Sequence, residues 1–149
     1  SGCILLSILR EFRNATGIGI DKNLETIKVA NLNSRKNNLL KRAKFIISDW
    51  NKKNFFKKIL NENKKFNYRE KFDLVVSNPP YLLKNEMNNL MPEVTYEPKD
   101  SLYDNEDGLC FYRKILPEIN SILSRNSYIY FEINIMIIVI NQKSLYGIQ

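Results

Sequence analysis

Apolar and polar positions alternate along this chain in two different periods. Ile4, Leu5, Ile8, Leu9 and Phe12 fall at helical spacing, which predicts an amphipathic helix over residues 2–13. Thr16 to Asp21 reads as a short strand that ends in an acid. A helix is predicted over 22–33, with Leu24, Ile27 and Ala30 or Asn31 on one side and Asn31-Leu32-Asn33 marking its end. Lys44 to Ser48 is the next strand, followed by Asp49 and Trp50. Residues 52–62 predict a Lys-rich helix with Phe55, Phe56, Ile59 and Leu60 as its apolar face, and Asn63 to Lys71 a polar linker.

Phe72 to Ser77 reads as a buried strand, short, Val-rich and bounded by polar residues. Residues 82–105 hold Pro92, Pro98 and several Asn but few periodic apolar positions, which predicts a long irregular loop. Asp107 to Leu123 reads as a helix with Tyr112, Ile115, Leu116, Ile119 and Leu123 in register, capped by Asn105 or Asp107. Pro117 inside that pattern predicts a kink or a break. Ser127 to Ile133 is a further strand. The run Ile135 to Ile140 has no helical period, and an exposed stretch of this kind would be an aggregation-prone sheet edge.

Strand and helix alternating over 1–81 place the chain in the α/β class, a mostly parallel sheet with helices on both faces. A gap or a substitute strand is expected between the 16–21 and 72–77 strands. With 149 residues the chain is one domain at most.

The chemistry concentrates at Asn78-Pro79-Pro80-Tyr81. Two prolines end the preceding strand, since neither has an N–H for a sheet ladder. Asn78 is therefore delivered at a strand's carboxyl end, where ligands bind in open α/β sheets. Its side-chain oxygen and the Pro79 carbonyl can both accept hydrogen bonds and so hold a planar NH2 group by its two hydrogens. That leaves more lone-pair density on the nitrogen for attack on an electrophile. The ring of Tyr81 can lie flat on a planar substrate. The same four residues also make an ordinary turn after a strand.

Asp21 and Asp49 end strands in the same way. A carboxylate there can accept both hydroxyls of a ribose, yet Asp21 equally suits the cap of the following helix. Trp50, the single Trp, offers stacking area to a purine or a core anchor.

Composition removes several alternatives. The chain has no His, the commonest general base and zinc ligand, so a Ser-His-Asp hydrolase or a metal centre is not expected. Cys3 and Cys110 stand far apart without a CxxC, giving neither a disulfide framework nor a metal site. The longest apolar run is too short to span a bilayer, and no signal peptide is present, so a cytoplasmic protein without membrane attachment is expected. The net charge is +7, and residues 35–71 hold 13 of the 23 Lys and Arg. Lys, Asn and Ile are abundant throughout, and no aromatic-interleaved basic motif accompanies the run. Nucleic acid is thus not expected as the direct substrate.

Asn78-Pro79-Pro80-Tyr81 resembles the catalytic loop of S-adenosylmethionine-dependent methyltransferases acting on amide or exocyclic amino nitrogens. With Pro92-Glu93-Val94, Tyr96-Glu97-Pro98, Asp107-Gly108-Leu109 and Phe111-Tyr112-Arg113, the chain from Ser1 to about Glu132 is similar to the release factor glutamine methyltransferases of HemK type. The resemblance implies a Rossmann-like class I methyltransferase sheet. It implies methyl transfer from S-adenosylmethionine to the side-chain amide nitrogen of the glutamine in the Gly-Gly-Gln loop of peptide-chain release factors.

Asn78, Pro79, Pro80 and Tyr81 would be catalytic, and Gly2, Asp21, Asp49, Trp50 and Asn78 would bind the cofactor. Glu97 would lie near the active site on a substrate-facing lid at 82–105. Ser1-Gly2 would match the tail of a glycine-rich loop, so that the central first strand and an N-terminal recognition region are missing. The family continues Glu-Ile-Gly where Glu132-Ile133-Asn134 stands here, and a stretch between Glu132 and Ser144 is expected to be missing or replaced, leaving the C-terminal hairpin incomplete. A monomer is expected. Adenine methylation of DNA or RNA, glutamine methylation of a ribosomal protein, and an inactive fragment are the alternatives.

Overall fold

The computed structural model describes residues 1–67, 70–84, 86–88, 96, 98–103, 107–133 and 136–141. The chain divides into two compact units, Ser1–Glu70 and Lys71–Gln149.

In the first unit the order is α1 (Cys3–Glu11), β1 (Gly17–Asp21), α2 (Leu24–Lys36), β2 (Ala43–Ile47) and α3 (Phe55–Asn67). β1 and β2 pair in parallel from Gly17 opposite Ala43 to Asp21 opposite Ile47. Parallel neighbours need a crossover, and α2 supplies it. Leu6, Leu9, Leu39 and Ala43 form a buried cluster, with Leu5, Ala15 and Phe45 packed against it. Arg42 ties two connections together by donating from Nη1 to the carbonyls of Phe12 (3.1 Å) and Ala15 (3.2 Å).

Three expectations change here. The core face of α1 is centred on Leu6 and Leu9, while Ile4 and Phe12 are exposed. Phe12 has left helical geometry, so its ring no longer follows the stripe. α2 continues past Asn33 to Lys36, because Ile27, Ala30 and Ser34 keep one face buried. α3 likewise runs through half of the expected polar linker, with Phe56, Ile59 and buried Asn63 at helical spacing. A polar residue thus occupies a core position, and Asn67 satisfies it by donating from Nδ2 to Asn63 Oδ1 at 2.7 Å.

The second unit contains β3 (Phe72–Ser77), α4 (Lys99–Leu102), α5 (Cys110–Ile119), β4 (Leu123–Ile133) and β5 (Met136–Asn141). Its sheet has the order β3-β4-β5, with β3 parallel and β5 antiparallel to β4. The described strands are hydrogen-bonded as two sheets, with no ladder between β1 and β3, where a gap or a substitute strand was expected. β3 is not fully buried as expected, since Leu74 and Val76 remain exposed on one face. The register shifts between Phe72 and Leu74, and Ser124 Oγ donates to Asp73 Oδ1 (2.7 Å) at that irregularity.

α5 is shorter than expected. It gives way to a 3-10 turn at Asn120–Ile122 just after Pro117, and Leu123 already belongs to β4. Pro117 itself lies within α5, whose last helical residue is Ile119. Phe111, Tyr112 and Phe131 pack edge to face with centroids 5.5–5.8 Å apart, which fastens α5 to β4. The 82–105 stretch is not wholly irregular, since it holds α4 and a parallel bridge from Leu82 to Tyr103. The Ile135 to Ile140 run supplies β5, at the edge of the described sheet. Pro92, Glu93, Val94, Glu97, Asn105 and residues 145–149 lie outside the described residues.

Candidate active site

The last rung between β3 and β4 joins Ser77 to Phe131. The strands are parallel, so the chain leaves β3 at Asn78 beside the residue that follows Phe131, Glu132. Asn78 is exposed, Pro79 is buried, and Pro80 and Tyr81 are half-buried. The loop is therefore anchored by its prolines and presents its amide outward. Its exit is pinned at once, because the Leu82 N–H donates to the Leu102 carbonyl at 2.9 Å. Glu86 Oε2 accepts from the Leu83 N–H at 2.7 Å.

Two residues that sequence reasoning did not single out join this loop. The Tyr112 hydroxyl donates to the Glu132 carbonyl at 2.8 Å. Burial, and then the proximity of Tyr81 and Glu132, push the Tyr112 phenol up to about 12. It therefore stays a neutral donor. For Glu132 a signal was available, since it stands near the carboxyl end of a strand, as Asp21 and Asp49 do. Tyr112 lay inside the Phe-Tyr-Arg string, but only as part of an apolar stripe.

Ahead of α5, Asp107 Oδ1 accepts from the Leu109 N–H (3.1 Å) and from Arg113 Nη1 (2.9 Å), while Arg113 Nη2 donates to Oδ2. The guanidinium of Arg113 holds the Asp107 carboxyl below its usual range. Asp107 lies two residues before the N-cap position, Leu109, which makes no side-chain cap bond. The expected cap thus braces the turn instead.

In the first unit, Asp21, Asp49 and Trp50 gather at the carboxyl end of the β1–β2 pair. The Ser48 N–H donates to the Asp21 carbonyl at 2.9 Å and extends the ladder toward Asp49. Asp21 Oδ1 accepts from the Asn23 N–H, and Asp49 Oδ1 from the Asn51 N–H, both at 2.8 Å. Each carboxylate is thereby oriented by its own following turn. The cap of α2 is Asn23, whose Oδ1 accepts from Glu25 and Thr26, and not Asp21. Among the described residues no hydrogen-bond donor meets Asp21 Oδ2. Trp50, which follows Asp49 directly, is half-buried. A nucleoside offers hydroxyl and amino donors and a flat ring, and two oriented carboxylates with an indole complement that donor set.

Gly2 begins α1 with φ 75°, the left-handed region. A Cβ built there would lie 2.7 Å from Phe45 Cζ and 3.0 Å from Ala30 Cβ. The left-handed backbone and this close approach both favour glycine here. No group of three or more His, Cys, Asp or Glu able to hold a metal occurs among the described residues. No described helix is long and apolar enough to cross a membrane.

A family model described as Eco57I restriction-modification methylase matches residues 5–138. The chain belongs to the Eco57I restriction-modification methylase family. This Eco57I-family chain is also similar to curated proteins. It is 39% identical to a release factor glutamine methyltransferase of Fusobacterium nucleatum over 134 residues, covering 89% of this chain and 34% of that protein. A bifunctional methyltransferase of Rickettsia typhi is 38% identical over 134 residues, with 89% and 23% covered. A release factor glutamine methyltransferase of Thermodesulfovibrio yellowstonii is 35% identical over 136 residues, with 89% and 43% covered. The chain thus spans less than half the length of these relatives. The resemblance to release factor glutamine methyltransferases holds.

Proposed function

We propose that this chain is part of the catalytic domain of an S-adenosylmethionine-dependent protein-glutamine methyltransferase. Its acceptor would be the amide nitrogen of the glutamine in the Gly-Gly-Gln loop of peptide-chain release factors. The observation that carries this reading is an exposed Asn78 beside a buried Pro79, on a loop at the carboxyl end of β3. Asn78 Oδ1 and the Pro79 carbonyl accept the two amide hydrogens, Pro80 stiffens the loop, and Tyr81 packs on the amide plane. When bound, S-adenosylmethionine supplies an electrophilic methyl group to the nitrogen held there. Holding that nitrogen in line is the main contribution of the loop, since positioning alone lowers a barrier substantially.

Asp21 would take the ribose hydroxyls, Asp49 and Trp50 the adenine, and Gly2 the methionine side. The parallel β1–β2 and β3–β4 pairs support a Rossmann-like class I sheet, whose first central strand and complete C-terminal hairpin would belong to a longer protein. We place the enzyme in the cytoplasm, acting as a monomer.

Calorimetry with S-adenosylmethionine tests the cofactor half. Binding by the chain, weakened at least tenfold by Asp21→Ala, is expected, because a hydrogen bond to a charged group contributes about 1.5–3 kcal/mol. Binding indifferent to Asp21→Ala would refute the ribose assignment. A second reading, methylation of adenine in nucleic acid, is favoured by the family's description and by the basic 35–71 stretch. An extruded base presents the same planar amino group.

A further inference from the structure

Gly108 has φ 78°, and a Cβ built on it would lie 2.5 Å from the Tyr81 carbonyl oxygen and 3.2 Å from the Tyr81 carbonyl carbon. Both neighbours are backbone atoms, so neither can swing aside as a flexible side chain would. The turn that carries Gly108 is itself braced. Asp107 accepts from the Leu109 N–H and from the Arg113 guanidinium, and buried Cys110 and Phe111 follow directly. On the other side, the Leu82 N–H is bonded to Leu102. Tyr81 is therefore held between a fixed exit and a fixed turn.

We propose that Gly108 is the positioning residue of the Asn78–Tyr81 loop. Its missing side chain lets the turn before α5 seat directly on the Tyr81 carbonyl, which sets where Asn78 and Pro79 present their acceptors. The inference rests on the glutamine-amide reading for its catalytic consequence. Its structural half does not depend on that reading. Gly108 acts through the loop and touches no substrate.

A positive φ alone would also favour glycine, and the two reasons can be separated. Asn tolerates the left-handed region but carries a Cβ. Gly108→Ala and Gly108→Asn should therefore be equally harmful if contact with Tyr81 is the cause. Two readouts decide: amide hydrogen exchange at Leu82, and kcat and KM for methylation of a Gly-Gly-Gln peptide.

Both variants are expected to speed exchange at Leu82 while Ile129 and Phe131 in β4 keep wild-type protection. Both should lower kcat on the order of tenfold or more, since small misplacement of reacting atoms is costly. Any rise in KM for S-adenosylmethionine should be smaller than the fall in kcat. A wild-type Gly108→Asn variant would overturn the proposal, as would faster exchange at Leu82 with kcat unchanged. If the wild-type chain methylates no glutamine peptide, the proposed function fails. The exchange comparison alone then decides the role of Gly108.

Discussion

Asn78 is exposed, so its replacement tests chemistry with little effect on folding. Asn78→Ala should change stability by no more than about 0.5 kcal/mol and abolish most methyl transfer, as followed by label incorporation and a urea melt. Tyr112 gives the opposite case, a buried hydroxyl bonded to the Glu132 carbonyl. Its phenol is pushed up from 10.0 to about 12. The folded chain thus keeps a proton that the unfolded chain releases. Its contribution is fully present below pH 10 and is lost as pH rises toward 12. Tyr112→Phe should weaken the chain by about 1 kcal/mol at neutral pH and flatten this alkaline loss in stability curves measured against pH.

The residues of the candidate loop were legible because their chemistry is local. An amide, two prolines and an aromatic ring stand next to one another in the sequence. The Tyr112–Glu132 and Gly108–Tyr81 contacts were not legible, since they exist only once α5 lies on the β3–β4 sheet.

At the scale of elements, strand existence could be read from short β-branched runs, whereas helix lengths could not. α2 and α3 outrun their expected ends because Ser34 and Asn63 occupy core positions that a hydrophobic pattern treats as stops. α5 falls short at both ends, starting at Cys110 and passing into a 3-10 turn after Ile119. The junction of α5 with β4 depends on the aromatic trio around Phe131, which is 1% exposed. Phe131→Ala should cost about 3–5 kcal/mol, enough to remove most of the stability of a small unit in a denaturant melt. In the first unit Lys44 Nζ meets Glu62 at 2.7 Å and joins β2 to α3. Hydrogen bonds from Lys44 and then Lys65 lower the Glu62 carboxyl below 4.5. That contribution is present above pH 4.5 and is lost as pH falls through the lowered value. Glu62→Gln should remove the corresponding part of the acid transition, monitored by circular dichroism.

For the molecule as a whole, the α/β class with parallel strands was readable from the order of elements. The separation of the described strands into two hydrogen-bonded sheets falls where a gap between the 16–21 and 72–77 strands was expected. Net charge of +7 adds a long-range field but no base-reading chemistry. The acceptor therefore has to be decided by reaction. The most direct measurement is to incubate the chain with isotopically labelled S-adenosylmethionine and either a release factor or duplex DNA, and to locate the label by mass spectrometry. The account predicts label on the amide nitrogen of the Gly-Gly-Gln glutamine, lost with Asn78→Ala. Label on adenine, with none on the release factor, would contradict it.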